Sequence, residues 1–228
     1  MSQDERFSIT GYFCSTVGRK QMMAIAGLGL CGFVLVHAAG NMLLFKSAQA
    51  YNLYSHALVT NPLIYLAEAG LLGLFLIHIV FGLGLTIRNY ASRPVTYAKM
   101  ASGEKSTSLV TKTMWMQGLV ILIFVVLHLV TFKFGTEYDV VYDNVKMRDL
   151  FRLVQEVFQS PLYVGWYIFS VTMLTFHLSH GFYSALQTLG LQHPKYTPAT
   201  KVFSVLYGIF IGAMFISQPL YMLFFFKG

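Results

Sequence analysis

The chain has 228 residues, 56% apolar and only 11% charged, with a mean hydropathy of +0.60. A soluble domain carries about 25% charged residues, so this composition excludes a water-soluble globular enzyme and points to a lipid environment. The net charge of +7 comes from basic residues scattered between apolar runs, not from one aromatic-interleaved patch, which argues against nucleic acid as a partner.

The first twenty residues are polar, with Asp4 and Glu5 near the start and no cleavable signal pattern. The first apolar run is therefore expected to stay in the mature chain. Five runs exceed the roughly 20 residues needed to cross a hydrocarbon core. They cover 21–45, 62–87, 113–132, 161–187 and 202–226, and Glu68 is their one formal charge. Between the first two runs, residues 48–61 form a short amphipathic segment. Residues 88–112 make a polar loop with Pro94 and Gly103. Within 135–160, Met147, Leu150, Phe151, Val154, Val157 and Phe158 recur at helical spacing opposite Arg148, Asp149, Arg152, Gln155 and Glu156. This stretch is expected to form an amphipathic interfacial helix, lying on the membrane surface or capping the bundle. The expected architecture is all-α: one integral membrane domain over 1–228, built as a five-helix bundle.

Ten of the sixteen Lys and Arg residues fall before the first run, between the second and third, or between the fourth and fifth. The positive-inside rule then puts the N-terminus in the cytoplasm and the C-terminus outside, in the cytoplasmic membrane of a prokaryote. Cys14 and Cys31 have no metal-binding spacing and suggest no disulfide framework.

Four runs each contain a histidine: His37, His78, His128 and His177. A weak duplication surrounds them. Gly27-Leu28 and Phe33-Val34 precede His37 at the same offsets at which Gly118-Leu119 and Phe124-Val125 precede His128. Pro62-Leu63 and Gly82 bear the same relation to His78 as Pro161-Leu162 and Gly181 bear to His177. The first and third runs point outward and the second and fourth return. At 1.5 Å per residue, His37 lies about 25 Å along its run from Lys20, at the depth of His128 near the outer face. His78 and His177 lie near the inner face, with the two levels roughly 10–15 Å apart.

Two opposed imidazoles per level are what a six-coordinate heme needs. Four intramembrane histidines at matched depths are costly unless they have such a use. Copper or zinc would need ligands gathered at one level. Gly40, Gly82 and Gly181, one turn from three of the histidines, are expected to leave room for the macrocycle. His180, three residues after His177, is an alternative ligand or a contact for a heme propionate. His56, Glu68, Asn52 and Tyr54 are candidates for a quinone headgroup site at the outer face. A cytochrome b of a hydrogenase or formate dehydrogenase, and a heme-free transporter with a histidine-lined proton path, are the other readings open at this stage.

Taken together, the chain resembles the diheme cytochrome b membrane anchor of succinate:quinone oxidoreductases, the succinate dehydrogenase and quinol:fumarate reductase family. The resemblance rests on a histidine in each of the first four of five spans and on three segments. These are Tyr51-Asn52-Leu53-Tyr54-Ser55-His56-Ala57-Leu58, Ala91-Ser92-Arg93-Pro94-Val95-Thr96-Tyr97 and His177-Leu178-Ser179-His180-Gly181-Phe182-Tyr183. It implies two heme b groups, the outer held by His37 and His128 and the inner by His78 and His177. It also implies a quinone, expected to be menaquinone, and partners in a flavoprotein subunit and an iron–sulfur subunit. The chain has no dinucleotide fingerprint and no cysteine cluster, so its own part would be the quinone half-reaction. Some fumarate-reducing relatives carry a glutamate two residues before the fourth-span ligand. Thr175 stands there in this chain, which removes the acid that their proton path uses.

Overall fold

A computed structural model describes residues 9–92 and 109–226. Five helical stretches in it are long and apolar enough to cross a membrane: Thr16–Phe45, Ile64–Ala91, Met114–Lys133, Pro161–Thr188 and Thr197–Phe225. In lipid the backbone must satisfy its own hydrogen bonds, and a helix does so within one segment. The chain order is α1 (Ile9–Cys14), α2 (Thr16–Asn41), α3 (Ala48–Val59), α4 (Ile64–Ala91), α5 (Leu109–Lys112), α6 (Met114–His128), α7 (Leu150–Val157), α8 (Pro161–Thr188) and α9 (Thr197–Phe225). A tighter turn, Met42–Phe45, extends α2, and a wider one, Leu129–Lys133, extends α6. Serine hydroxyls cap three N-termini: Ser15 accepts from the Gly18 N–H, Ser47 from Ala50 and Ser160 from Tyr163.

Helix α8 is the hub and packs on α2, α6 and α9, while α2 packs on α4 and α4 barely touches α6. The first four spans thus form a ring in which α2 faces α6, and α4 faces α8, across the diagonals. The fifth span, α9, lies outside this ring. Its close approach to α8 depends on Gly208 and Gly212, one turn apart. A Cβ at Gly208 would sit 2.7 Å from the Thr175 carbonyl oxygen, and one at Gly212 2.2 Å from Thr175 Oγ1. Small residues one turn apart bring helices together where lipid offers no hydrophobic drive. One turn earlier, Ser204 accepts from the Tyr183 N–H at 3.1 Å and donates to the Ser179 carbonyl at 2.5 Å. It thereby joins the ladder of α8 itself. Tyr207 ties α9 to α2 by donating to the Cys31 carbonyl at 2.6 Å.

The end of the bundle reached by α3 and by residues 134–160 is closed by a cap. Helix α7 buries Phe151, Leu153 and Val154; Phe151 and Val154 join a cluster with Leu44, Tyr51, Phe158, Val164, Tyr167 and Met222. The amphipathic stretch read from the sequence is therefore a bundle cap, but it starts later than expected. Met147 belongs to a hairpin, β1 (Asp139–Tyr142) paired antiparallel with β2 (Val145–Arg148). Asp143 and Asn144 take φ of 50° and 62°, a two-residue turn that matches strand twist. This hairpin is an addition to the all-helical expectation. Arg148, on β2, donates to the carbonyls of Lys133, Gly135 and Thr136 at 3.1–3.3 Å and so caps the α6 end. Asn52, fully buried, locks α3 to α7: it accepts from the Phe151 N–H at 2.9 Å and donates to Asp149 at 2.8 Å.

Candidate functional site

The bundle's diagonals are filled by histidine couples. His37 on α2 meets His128 at the end of α6, with ring centroids 5.9 Å apart and planes at 88°. His78 on α4 meets His177 on α8 at 6.1 Å and 74°. The first couple lies toward the capped end of the bundle and the second toward the opposite end.

The spacing of the two levels explains the duplicated glycines. A Cβ at Gly27 would lie 3.2 Å from Cε1 of His78, and one at Gly118 would lie 3.8 Å from Cε1 of His177. Both glycines stand ten residues before the histidine of the other couple on their own helix. The levels are therefore about 15 Å apart along the helices. Gly27 and Gly118 flank the His78–His177 couple from two sides. Of the glycines expected to leave room for the macrocycle, a Cβ at Gly40 would run into the Tyr54 ring, one at Gly82 would lie 3.6 Å from Met23 Sδ, and one at Gly181 would meet nothing within 4 Å.

One ring in each couple is held at Nδ1. His78 Nδ1 lies 3.2 Å from the Met23 carbonyl, and His128 Nδ1 lies 3.0 Å from the Tyr167 hydroxyl. With the proton on Nδ1, Nε2 is left free as a ligand atom. Nδ1 of His177 is buried and has no hydrogen-bond partner among the described residues. His37 differs, because its Nε2 faces the Asn41 amide at 3.5 Å, and Asn41 in turn accepts from Tyr51 at 3.3 Å. Burial, and secondarily Tyr54 alongside, pushes the Tyr51 phenol well above its usual range, so it stays a neutral donor. Phe33 stacks on His37 at 5.5 Å, and Phe124 and Phe132 flank His128 at 5.8 and 5.2 Å.

The donor set is two imidazoles per level. Among the described residues no three His, Cys, Asp or Glu side chains gather as a metal group, whereas a structural zinc takes four ligands and a catalytic one three. A metal–imidazole bond of about 2 Å on each side places two ring centroids roughly 6 Å apart. The two couples, at 5.9 and 6.1 Å, fit a six-coordinate heme iron at each level.

The other candidate residues are dispersed. His180 has its Nδ1 3.3 Å from the Thr111 hydroxyl. Tyr54 packs over Gly40, one turn beyond His37. Glu68 is exposed and forms an ion pair with Lys133, linking α4 to the end of α6. His56 is half-buried on α3, and Asn52 is committed to the cap. Sequence reading missed Lys133, Asn41 and Tyr167, because each acts on a partner brought near by the fold. Gly27 and Gly118 did carry a signal, the shared offset. Residues 93–97 of the second segment quoted above lie outside the described residues.

Over 166 residues the chain is 27% identical to the succinate dehydrogenase cytochrome b558 subunit of Bacillus subtilis (strain 168), a stretch covering 70% of this chain and 72% of that protein. No protein-family model matches the chain, and no solved structure matches it. The similarity supports a relation to the succinate dehydrogenase cytochrome b family.

Proposed function

We propose that this chain is the membrane anchor and diheme cytochrome b subunit of a succinate dehydrogenase or fumarate reductase complex. The observation that carries the proposal is the pair of opposed histidine couples at two depths of one helical bundle. His37 and His128 would hold one heme b, and His78 and His177 the other. Each heme, when bound, supplies a one-electron iron centre whose two imidazoles leave no position for oxygen. The chain's own residues do the rest. Met23 and Tyr167 keep their imidazoles turned with Nε2 into the bundle, and Phe33, Phe124 and Phe132 exclude water around the capped-end couple.

The quinone, taken as menaquinone, would sit at the capped end beside His37. Tyr54, which packs over Gly40 one turn beyond His37, would donate to a quinone oxygen. Glu68 and His56 are ionisable groups at the same end that can take or give its protons, and Asn52 fixes the helix that presents Tyr54 and His56. Electrons would pass between this site and the iron–sulfur subunit, which docks with the flavoprotein at the opposite end. Support for that polarity comes from Arg19, Lys20, Arg88, Lys112, Lys195 and Lys201, which fall at that end, the bias that the positive-inside rule expects of a cytoplasmic face.

Purification of the chain from membranes with its bound partners tests the proposal. The expected result is two heme b per chain, with low-spin bis-imidazole spectra, and a co-purifying flavoprotein active on succinate or fumarate. A chain free of heme would overturn the cytochrome reading. Two hemes beside a flavin-free partner would place it with another oxidoreductase.

A further inference from the structure

We propose that Tyr167 is the positioning residue for the capped-end couple: its hydroxyl accepts the Nδ1–H of His128, fixes the tautomer that turns Nε2 toward His37, and sets the reduction potential of the iron held there. The inference rests on the bis-imidazole reading above.

The contact itself is well formed, at 3.0 Å from Nδ1 to the phenol oxygen. What makes it a positioning device is the immobility of the phenol. Tyr167 is 6% exposed and lies in the largest buried cluster. Phe124 meets its ring edge-on at 4.8 Å, Phe158 does so at 4.9 Å, and Tyr163 stacks on it at 5.4 Å. Four aromatic neighbours, with Phe132 at 6.1 Å, leave the ring no free rotation. The hydroxyl is thus a fixed point against which the imidazole of another helix is registered.

The other couple has a different arrangement. There the corresponding nitrogen, Nδ1 of His78, lies against the Met23 main-chain carbonyl. Main chain serves one level and a side-chain hydroxyl the other, so only the capped-end level has an acceptor that a substitution can remove. An acceptor on Nδ1–H makes the imidazole a more electron-rich ligand and favours the ferric iron. Removing the acceptor must therefore raise the potential at that level and leave the other alone. Tyr163 provides the matched comparison. Its hydroxyl bonds Thr131, and it stacks on Tyr167, but it has no contact with His128.

The test is a spectroscopic redox titration of the purified, heme-loaded chain and its Tyr167→Phe and Tyr163→Phe variants. Phenylalanine keeps the ring and its packing, so both variants should retain two hemes. In Tyr167→Phe one heme, the one lost in His128→Ala, should show a roughly tenfold fall in its ferric-to-ferrous ratio at fixed potential, an upward shift of about 59 mV in its reduction potential for one electron. The other heme should stay in place, and Tyr163→Phe should move neither. Unchanged potentials in Tyr167→Phe, or an equal shift in Tyr163→Phe, would overturn the role of the hydroxyl while leaving the two-heme reading intact. Absence of heme from the unsubstituted chain would overturn that reading and this inference with it.

Discussion

Substituting alanine for Gly208 tests how the fifth span holds the histidine-bearing α8 in place. The added Cβ would lie 2.7 Å from the Thr175 carbonyl oxygen and 3.1 Å from the Ser179 nitrogen, both main-chain atoms that cannot swing aside. Non-bonded heavy atoms settle near 3.5 Å, so α8 and α9 must part by about 1 Å. Overpacking of this kind costs about 1–3 kcal/mol. Separation also stretches the two Ser204 bonds to α8, each worth a net contribution of about 1 kcal/mol. The expected loss is therefore about 3 kcal/mol. It can be read by unfolding the chain from mild detergent into dodecyl sulfate and following helicity. Gly73→Ala is the control, because a Cβ there meets nothing within 4 Å, and its change should stay within about 0.5 kcal/mol. Thr175 and Ser179 bracket His177, so heme loss in Gly208→Ala should fall on the His78–His177 couple first. Equal stability of the two variants would refute the claim that close approach of α8 and α9 is a structural requirement.

The same geometry gives further expectations. Gly27→Leu should drive the His78 ring from its place, since even a Cβ would be 3.2 Å from Cε1, and should remove one heme while the His37–His128 couple keeps its own; an unchanged spectrum would contradict this. Asn52→Ala leaves the Phe151 N–H and the Asp149 carboxylate short of a partner, and should destabilise the cap by about 2 kcal/mol, seen as faster amide exchange in α7. Hydrogen bonds from Tyr138 and Arg152 hold Glu156 below the usual carboxylate range, so its contribution is present above its unfolded pKa and disappears as pH falls through the depressed folded value. Glu156→Gln should remove that acid-side dependence of α7 exchange; an identical pH profile in the variant would count against it.

How far the sequence could be read depends on the range of each interaction. The spans were legible because an apolar run of sufficient length has few alternatives in lipid, and the helix ends differ from the runs by at most a few residues. The meeting of His37 with His128, and of His78 with His177, follows from equal distance along spans that run in the same direction, which sequence counts directly. The hairpin was hidden because Met147 also fits the helical spacing of α7, although the Asp143-Asn144 pair flanked by valines and tyrosine was a turn signal. The crowding of Gly40 by Tyr54 was hidden because position along one helix does not say which side chain of a neighbouring segment leans over it. Tyr167, Lys133 and Asn41 were beyond reach for a further reason: each partners a residue on another segment or stands between two, and only the packed ring of helices makes them neighbours.

The most direct measurement is heme content across four single variants. His37→Ala and His128→Ala should each remove the same heme, recognised by its potential and absorption, and His78→Ala and His177→Ala should each remove the other. If the loss followed a different pairing, such as His37 with His78, or if all four variants kept both hemes, the account of two irons held across the bundle's diagonals would be wrong.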